Sequence, residues 1–228
     1  MIIFRQLFDD DSSTYTYLLA DALTREGVVI DPVKEQHERD LSVIRELGIN
    51  LKYTIDTHVH ADHVTGSGPL REVLGAKVVT GAATGLDCSD VLIPDGQPLT
   101  FGNEVLTAIA TPGHTDGCTS YRWRDRLFTG DTLLINACGR TDFQQGDAGR
   151  LYDSIQRLFA HPDETLVFPG HDYEGRRVSS IGQEKALNPR LAGKDRQAFI
   201  DIMNGLDLPY PRHIDRALPA NQTCGLAV

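Results

Sequence analysis

Runs of β-branched and aromatic residues mark the first part of the chain and predict strands there. These strands span 2–8, 13–20, 27–31 and 51–56. Between the last two, apolar residues recur every three or four positions from His37 to Leu47, with charged residues between them. This spacing predicts an amphipathic helix, and Gly48 supplies the residue that typically ends one.

The rest of the chain alternates between strand-like and helix-like segments. Further strands are predicted over 77–80, 91–93, 104–110, 119–123, 126–129 and 165–168. Helices are predicted over 68–74, 151–159, 178–187 and 194–204. The tail carries Pro209, Pro211 and Pro219 and is predicted to wrap irregularly over the surface. Because the strands form two sets with helices around them, we expect two packed sheets with helices outside, in an α/β or α+β arrangement.

Length, charge and cysteine content narrow the class of protein. A chain of 228 residues suits one domain or one domain with a small appendage. The net charge of −10 argues against nucleic acid or an anionic membrane as the main partner. The first residues are typical of a strand and not of a signal peptide. With no export signal and no C-x-x-C pair, we expect Cys88, Cys118, Cys138 and Cys224 to be reduced thiols in a cytoplasmic protein.

The segment 57–63 carries the densest chemistry in the chain. It places three histidines and an aspartate within six residues, directly after a predicted strand. Imidazoles and carboxylates at this density are typical ligands of a divalent metal such as zinc or iron, and this interpretation is favoured over a loop of solvated histidines. His114, Asp131 and His171 each lie beside a glycine after an apolar run. Loops at one sheet edge could bring all these side chains together.

These residues could build one metal site or two. Two histidines and one carboxylate on one face of an iron ion leave three positions open for substrate and O2. The same residues could instead hold two ions that activate a hydroxide for hydrolysis. The chemistry of the side chains does not choose between these arrangements.

The motifs resemble those of the metallo-β-lactamase superfamily. The H-x-H-x-D-H run at 58–63 matches its first motif, and His114, Asp131 and His171 match its later ligand positions. The resemblance covers about residues 1–173 and implies an αββα sandwich with the metal at the sheet edges. We therefore expect a metal-binding domain over 1–175 and a helical extension over 176–228 that packs on it.

A narrower resemblance extends over nearly the whole chain. Segments 137–144, 171–173, 188–191 and 214–221 are similar to those of the persulfide dioxygenases, also called sulfur dioxygenases. This resemblance implies an enzyme of sulfur metabolism and hydrogen sulfide oxidation that uses O2 and one Fe(II) per chain. Its substrate would be glutathione persulfide, and its products would be sulfite and glutathione.

The resemblance also implies roles for individual residues. It assigns the metal and the catalysis to His58, His114 and Asp131. The remaining motif residues are interpreted as groups that hydrogen-bond the ligands and metal-bound water and so orient them; these are His60, Asp62, His63 and His171.

Glutathione carries two carboxylates, and an arginine can bind a carboxylate through two hydrogen bonds. By resemblance Arg140 and Tyr173 contact glutathione, and Arg190 is a weaker candidate from the extension. The alternatives are a surface ion pair for Arg140, simple packing for Tyr173 and a structural role for Arg190. The family also inclines toward homodimers.

Two other functions remain open at this point. The sister group, glyoxalase II, hydrolyses hydroxyacylglutathione thioesters at a dinuclear site. A protein that binds metal or senses persulfides without turnover is the third hypothesis.

Overall fold

The computed structural model describes residues 1–226, and residues 227 and 228 of the predicted extension lie outside the described part. The described chain forms two six-stranded sheets. The first sheet has the strand order β1 to β6, antiparallel from β1 to β3 and parallel from β3 to β6. Its strands are β1 (Ile2–Asp9), β2 (Thr14–Asp21), β3 (Glu26–Ile30), β4 (Asn50–Asp56), β5 (Lys77–Gly81) and β6 (Val91–Ile93).

The second sheet runs in the order β12-β11-β10-β9-β8-β7. Its neighbouring strands are antiparallel except for β10 and β11, which pair in parallel. The strands are β7 (Pro98–Phe101), β8 (Glu104–Ala110), β9 (Thr119–Trp123), β10 (Arg126–Gly130), β11 (Leu166–Pro169) and β12 (Ser179–Ser180).

Three apolar clusters show how the layers pack. The largest lies between the two sheets and contains Tyr17, Tyr121, Trp123 and Phe128, all fully buried. A second cluster covers the outer face of the first sheet, and a third covers the outer face of the second. The helices are α1 (His37–Glu46), α2 (Ser67–Leu74), α3 (Ala148–Phe159), α4 (Ile181–Leu187), α5 (Arg196–Asn204) and α6 (Ile214–Asn221).

The layers follow from the periodicity of the sequence. Leu41 and Ile44 of α1 and Leu70 of α2 pack on the first sheet. Leu151 and Ile155 of α3 pack on the second. An amphipathic helix must bury its apolar side against another element, so helices cover both outer sheet faces. The predicted αββα sandwich is therefore confirmed.

Most predicted elements match the structure closely. The ten predicted strands agree with β1–β6 and β8–β11 to within one residue at each end. Helix α3 begins at Ala148, three residues before the predicted start, because the side chain of Asp147 accepts a hydrogen bond from the backbone N–H of Arg150. Strand β7 was not predicted; it is an edge strand that begins at Pro98, where a missing N–H costs no sheet hydrogen bond.

The prediction of an irregular tail is wrong for residues 214–221, although the stretch around Pro209 and Pro211 is irregular. The tail contains α6, whose buried residues Ile214, Ala217 and Ala220 recur every three positions along one side. Pro219 lies inside this helix, near its end. A proline there removes one backbone hydrogen bond, and burial of the apolar side outweighs that loss.

The prediction of four reduced cysteines is wrong for two of them. Cys88 and Cys224 form a disulfide between positions 136 residues apart. Cys118 and Cys138 are free and buried, and burial raises the pKa of their thiols to about 12 and about 11. The cysteines therefore no longer support a cytoplasmic location. Separately, no helix within residues 1–226 is long and apolar enough to span a bilayer.

Candidate metal centre and substrate pocket

Four strand ends bring the predicted site residues together. His58 follows β4, His114 follows β8, Asp131 follows β10 and His171 follows β11. His114 and His171 both lie within hydrogen-bonding or ion-pairing distance of Asp131. Side chains that are far apart in sequence thus meet at one edge of the sandwich, where loops can vary without disturbing the core.

We call His58, His114 and Asp131 the open triad. One ligand atom from each residue lies within 4.8 Å of the others. His114 Nε2 is 3.7 Å from Asp131 Oδ2, and the rings of His58 and His114 have centroids 4.9 Å apart. Atoms that bind one ion at about 2.0–2.2 Å lie roughly 3–4 Å from one another, so this spacing fits a single metal.

Hydrogen bonds orient both imidazoles of the open triad. Thr57 Oγ1 donates to the carboxylate of Asp31 (2.9 Å), so it can only accept from Nδ1 of His58 (3.0 Å). Nδ1 of His114 donates to the backbone carbonyl of Arg140 (2.7 Å). When Nδ1 carries the proton, Nε2 keeps its lone pair. Both histidines therefore present a free Nε2.

Charges in the open triad also suit a cation. Burial, followed by the neighbouring His60, lowers the pKa of His58 well below its usual value, so this imidazole is neutral. Burial opposes ionisation of Asp131, but the charge and hydrogen bond of His171 outweigh it and hold the pKa of that carboxyl well below its usual range. A neutral imidazole such as that of His58 and an ionised carboxylate such as that of Asp131 are donors that a divalent transition metal requires.

Gly139 allows the loop after β10 to pack against the triad. Its backbone N–H donates to the carbonyl of Asp131 (2.7 Å). A Cβ at this position would lie 2.5 Å from that carbonyl oxygen and 2.8 Å from Nδ1 of His114. Only glycine fits so closely, and the next carbonyl, that of Arg140, is the one that accepts from His114.

We call Thr14, Asp62, His63 and His171 the hydrogen-bonded cluster. Asp62 Oδ2 accepts from His63 Nδ1 (2.7 Å), His171 Nε2 (2.9 Å) and Thr14 Oγ1 (3.1 Å). The other nitrogen of His171, Nδ1, donates to Asp131 Oδ1 (2.5 Å). Burial opposes a charge on His171, but Asp131 and Asp62 raise its pKa well above the usual value. Both nitrogens of His171 therefore carry protons and face carboxylates.

His60 lies beside these groups, and one of its ring nitrogens bonds to Asp31. Its Nε2 donates to Asp31 Oδ1 at 3.1 Å, and its Nδ1 has no hydrogen-bond partner. Burial disfavours its charge, but Asp31 raises the pKa of His60 to about 9. The ligand atoms of His60, Asp62 and His63 nevertheless lie within 4.8 Å of one another, which is the spacing a second ion would need.

Thr14 and Asp31 are site residues that the sequence analysis missed. Thr14 begins β2, and Asp31 directly follows β3 with φ of 50°. Asp31 also accepts from the backbone N–H of Thr57 (2.7 Å) and so anchors the start of the motif loop. The usable signal was an aspartate at the end of a buried strand, just before Pro32. Thr14 carries no such signal.

A cavity of about 700 Å³ opens beside the open triad. This volume is typical of small-molecule sites. His114 and Asp131 line it on the metal side, and segment 208–213 lines it on the other. Arg140, Tyr173 and Arg190 all line the same cavity, so the structure brings the three predicted glutathione contacts together.

The three predicted contacts differ in how free they are. Arg140 makes two 2.7 Å hydrogen bonds to Asp142 and donates to the carbonyl of Pro209 (2.8 Å). Arg190 donates to the backbone carbonyl of Cys138 (2.7 Å). Tyr173 is 74% exposed, and its ring stacks on His171. Tyr173 is thus the most accessible of the three, whereas both arginines already hold parts of the pocket wall.

Comparisons with known proteins agree with this geometry. The metallo-beta-lactamase superfamily model matches residues 9–90 and 89–171. The mitochondrial persulfide dioxygenase ETHE1 of Homo sapiens is 48% identical over 99% of this chain and 89% of its own. The crystal structure of ETHE1 from Myxococcus xanthus is 56% identical, with a TM-score of 0.96 over 98% of this chain and 99% of that one. A hydroxyacylglutathione hydrolase of Rhodospirillum rubrum is 35% identical over 71% of this chain and 63% of its own.

Proposed function

This chain belongs to the persulfide dioxygenase family of the metallo-beta-lactamase superfamily, and we propose that it oxidises glutathione persulfide with O2 at one ferrous ion. The products would be sulfite and glutathione. Both the superfamily and the narrower family predicted from the sequence are confirmed. The metal, its ligands and the thiol carrier form the proposal.

The contrast between the two groups of ligand-type residues is the observation that supports a single metal. The open triad keeps two imidazole nitrogens and a carboxylate oxygen available to an ion. In the hydrogen-bonded cluster, Asp62 and both nitrogens of His171 are already engaged within the protein. A second ion would have to break several charge-assisted hydrogen bonds, which are about twice as strong as neutral ones.

The chain's own residues would orient and tune this centre. His58, His114 and Asp131 would hold a ferrous ion, which would supply the chemistry between O2 and the sulfur of the persulfide. Thr57 and the Arg140 carbonyl fix the rings of His58 and His114. His171 holds one oxygen of Asp131 and leaves the other facing His114. Ligands held in this way would keep the centre fixed beside the cavity that His114 and Asp131 line.

The cavity would hold the thiol carrier. Tyr173 offers a hydroxyl near the metal side, and Arg140 offers a guanidinium that currently binds Asp142. A glutathione carboxylate would compete with Asp142 for that guanidinium or share it. Arg190 would contribute mainly by supporting the Cys138 carbonyl in the pocket wall.

The alternative is a glyoxalase II-type hydrolase with two metals. The observation in its favour is the close spacing of the His60, Asp62 and His63 ligand atoms. His60 Nδ1 and His63 Nε2 also lack hydrogen-bond partners, but Asp62 Oδ2 already accepts from His63 and His171, and both nitrogens of His171 donate to carboxylates. The relative named as a hydroxyacylglutathione hydrolase also matches only part of this chain, whereas the persulfide dioxygenases match nearly all of it.

Oxygen consumption tests the proposal directly. Protein purified without air and loaded with Fe(II) should consume one O2 per glutathione persulfide and bind one iron per chain. Iron chelation should abolish the uptake. Turnover of S-lactoylglutathione without O2, together with two metals per chain, would instead establish the hydrolase. Iron binding without persulfide oxidation or thioester hydrolysis would support the hypothesis of a persulfide sensor.

Three broader predictions also belong to the proposal. They are a cytoplasmic location, a homodimer, and the absence of nucleic-acid and membrane partners. For the location, the animal relatives that match the chain are named as mitochondrial. The acidic net charge is the main support for the absence of nucleic-acid and membrane partners. The division into residues 1–175 and an extension from 176 likewise stays a prediction.

A further inference from the structure

We propose that Asn221 is a positioning residue for the motif loop at 57–66, and that the Cys88–Cys224 disulfide holds it in place. The oxidation state of this cysteine pair would then set how firmly the centre retains its metal. This inference rests on the proposed metal centre but not on the reaction that occurs there. It concerns a part of the chain that contributes no ligand.

Asn221 makes three hydrogen bonds to the motif loop. Its Oδ1 accepts from the backbone N–H of Thr65 (2.9 Å), and its Nδ2 donates to the carbonyls of His60 (2.8 Å) and His63 (2.9 Å). The side chain is only 3% exposed. Without it, three buried backbone groups of the loop would lose their partners, which is unfavourable because buried N–H and C=O groups are almost always paired.

The loop has further anchors at both ends, and Asp31 holds Thr57 at its start. Gly66 N–H donates to the carbonyl of Pro32 (2.7 Å), and Thr65 Oγ1 donates to Asp56 (2.7 Å). Between these anchors lie Asp62, which binds His171, and His58 of the open triad. Asn221 therefore connects the end of α6 to the stretch of loop that carries these two residues.

The disulfide ties the end of α6 to the rest of the protein. Cys224 lies three residues after Asn221, and Cys88 lies between β5 and β6. The carbonyl of Cys224 accepts from the N–H of Gly68 at 2.9 Å. A Cβ on Gly68 would lie 2.4 Å from that oxygen, so α2 must carry a glycine where the tail crosses it. The tail is thus held by close backbone packing and one covalent bond.

Reduction would remove only the covalent bond. Cys88 is half-buried and Cys224 is 1% exposed, so an incoming thiolate reaches the sulfur of Cys88 first. A small thiol such as glutathione would form a mixed disulfide with Cys88, and Cys224 would leave as a thiolate and take up a proton. A second thiol would attack the small-molecule sulfur, release Cys88 as a thiol and yield the oxidised small disulfide. The freed tail could then open locally, together with Asn221.

Metal release without air tests this inference. Oxidised protein, protein reduced with thiol and desalted, and Cys88→Ser are each loaded with Fe(II) and mixed with a ferrous chelator. We expect the reduced protein and Cys88→Ser to release iron at equal rates, about tenfold faster than the oxidised protein, because a positioning contact for a metal site is worth about that much. Mass spectrometry after thiol alkylation verifies the state of the cysteines.

Asn221→Ala should release iron faster than the oxidised wild type, and reduction should add little to that rate. Gln222→Ala changes the exposed neighbouring residue and should leave the rate unchanged. Glu104→Gln serves as the control for general destabilisation, because it weakens the bonds of Glu104 to Trp123 and Arg124 away from the motif loop. It should lower the melting temperature without speeding release.

Equal release from the oxidised, reduced and Cys88→Ser proteins would overturn the role of the disulfide. Release from Asn221→Ala at the Gln222→Ala rate would overturn the role of Asn221. Should Asn221→Ala fail to fold, Cys88→Ser still decides the matter, since its changed atom lies at a half-buried position outside the sheets. The measurement uses neither O2 nor persulfide, so an inactive enzyme would contradict the proposed function and leave this inference standing.

Discussion

The open triad and the hydrogen-bonded cluster meet at Asp131, and both contain histidines and an aspartate. They differ in the partners of their ring nitrogens. In the triad, Nδ1 of His58 faces a hydroxyl and Nδ1 of His114 faces a backbone carbonyl, so each Nε2 stays free. In the cluster, both nitrogens of His171 face carboxylates. A histidine whose two nitrogens both donate to carboxylates has no lone pair available to a metal until one of those bonds is broken.

The comparison shows that ligand identity alone does not define a metal site. All of the motif residues could bind an ion if taken singly. Their neighbours, such as Thr57, Asp31 and Thr14, engage some of their donor atoms and leave others free. The proposed single metal rests on this difference in the surrounding hydrogen bonds.

Asp131→Ala should have the largest effect, because this residue belongs to the triad and also binds His171. We expect loss of iron together with more than about a hundredfold loss of activity, since even outer partners of a metal are worth 10–100-fold. Metal analysis and O2 uptake measure both. A variant that keeps one iron per chain would break the assignment of the triad.

Asp62→Asn changes the cluster and leaves the triad intact. We expect activity to fall by about 10–100-fold with iron still near one per chain, because His171 loses one charged partner and holds Asp131 less firmly. The hydrolase alternative predicts something different, a drop from two metals to one. Metal content before and after the substitution therefore distinguishes the two arrangements.

Arg140→Ala tests the side of the triad that faces the cavity. We expect KM for glutathione persulfide to rise by about tenfold, the value of one charge-assisted contact, with iron content unchanged. Metal should persist because His114 bonds to the backbone carbonyl of Arg140, which the substitution keeps. In Arg140→Lys, KM should lie between the values of wild type and Arg140→Ala. An unaltered KM in Arg140→Ala would remove this residue from substrate binding.

Asp40 is a buried carboxylate without a histidine partner. We expect its substitution to have a negligible effect on activity. Burial, only partly offset by Arg39, raises the pKa of Asp40 to about 6. A raised pKa means that the folded state binds the proton more tightly than the unfolded state. Protonation of Asp40 therefore contributes fully to the free energy of unfolding below about pH 4. This contribution is lost as the pH rises through about 6.

Asp40→Asn should abolish this fall in the free energy of unfolding, because asparagine does not titrate. The difference in unfolding free energy between pH 4 and pH 8 should change by roughly 2 kcal/mol relative to wild type, as measured by denaturant titration. Iron content should not change. An identical pH dependence in both proteins would show that burial does not perturb this carboxyl.

Local patterns were enough to predict most of the sandwich. The alternation along 2–8 and 13–20 and the three-to-four spacing along α1 reflect side chains that must face a core, so they are visible without the fold. The motif at 58–63 and the glycine-flanked His114, Asp131 and His171 were likewise visible, because each follows directly from a strand. These features depend on neighbours in sequence.

The features that only the tertiary structure decided depend on neighbours in space. Thr14 meets Asp62 across 48 positions, Asp31 meets His60 across 29, and Cys88 meets Cys224 across 136. None of these pairs has a short-range pattern, since hydrogen bonds and disulfides form wherever folding brings partners together. The sequence by itself determined which residues could bind a metal, and the folded chain decided which of their donor atoms are engaged in hydrogen bonds and which are not, because those partners lie far apart in sequence.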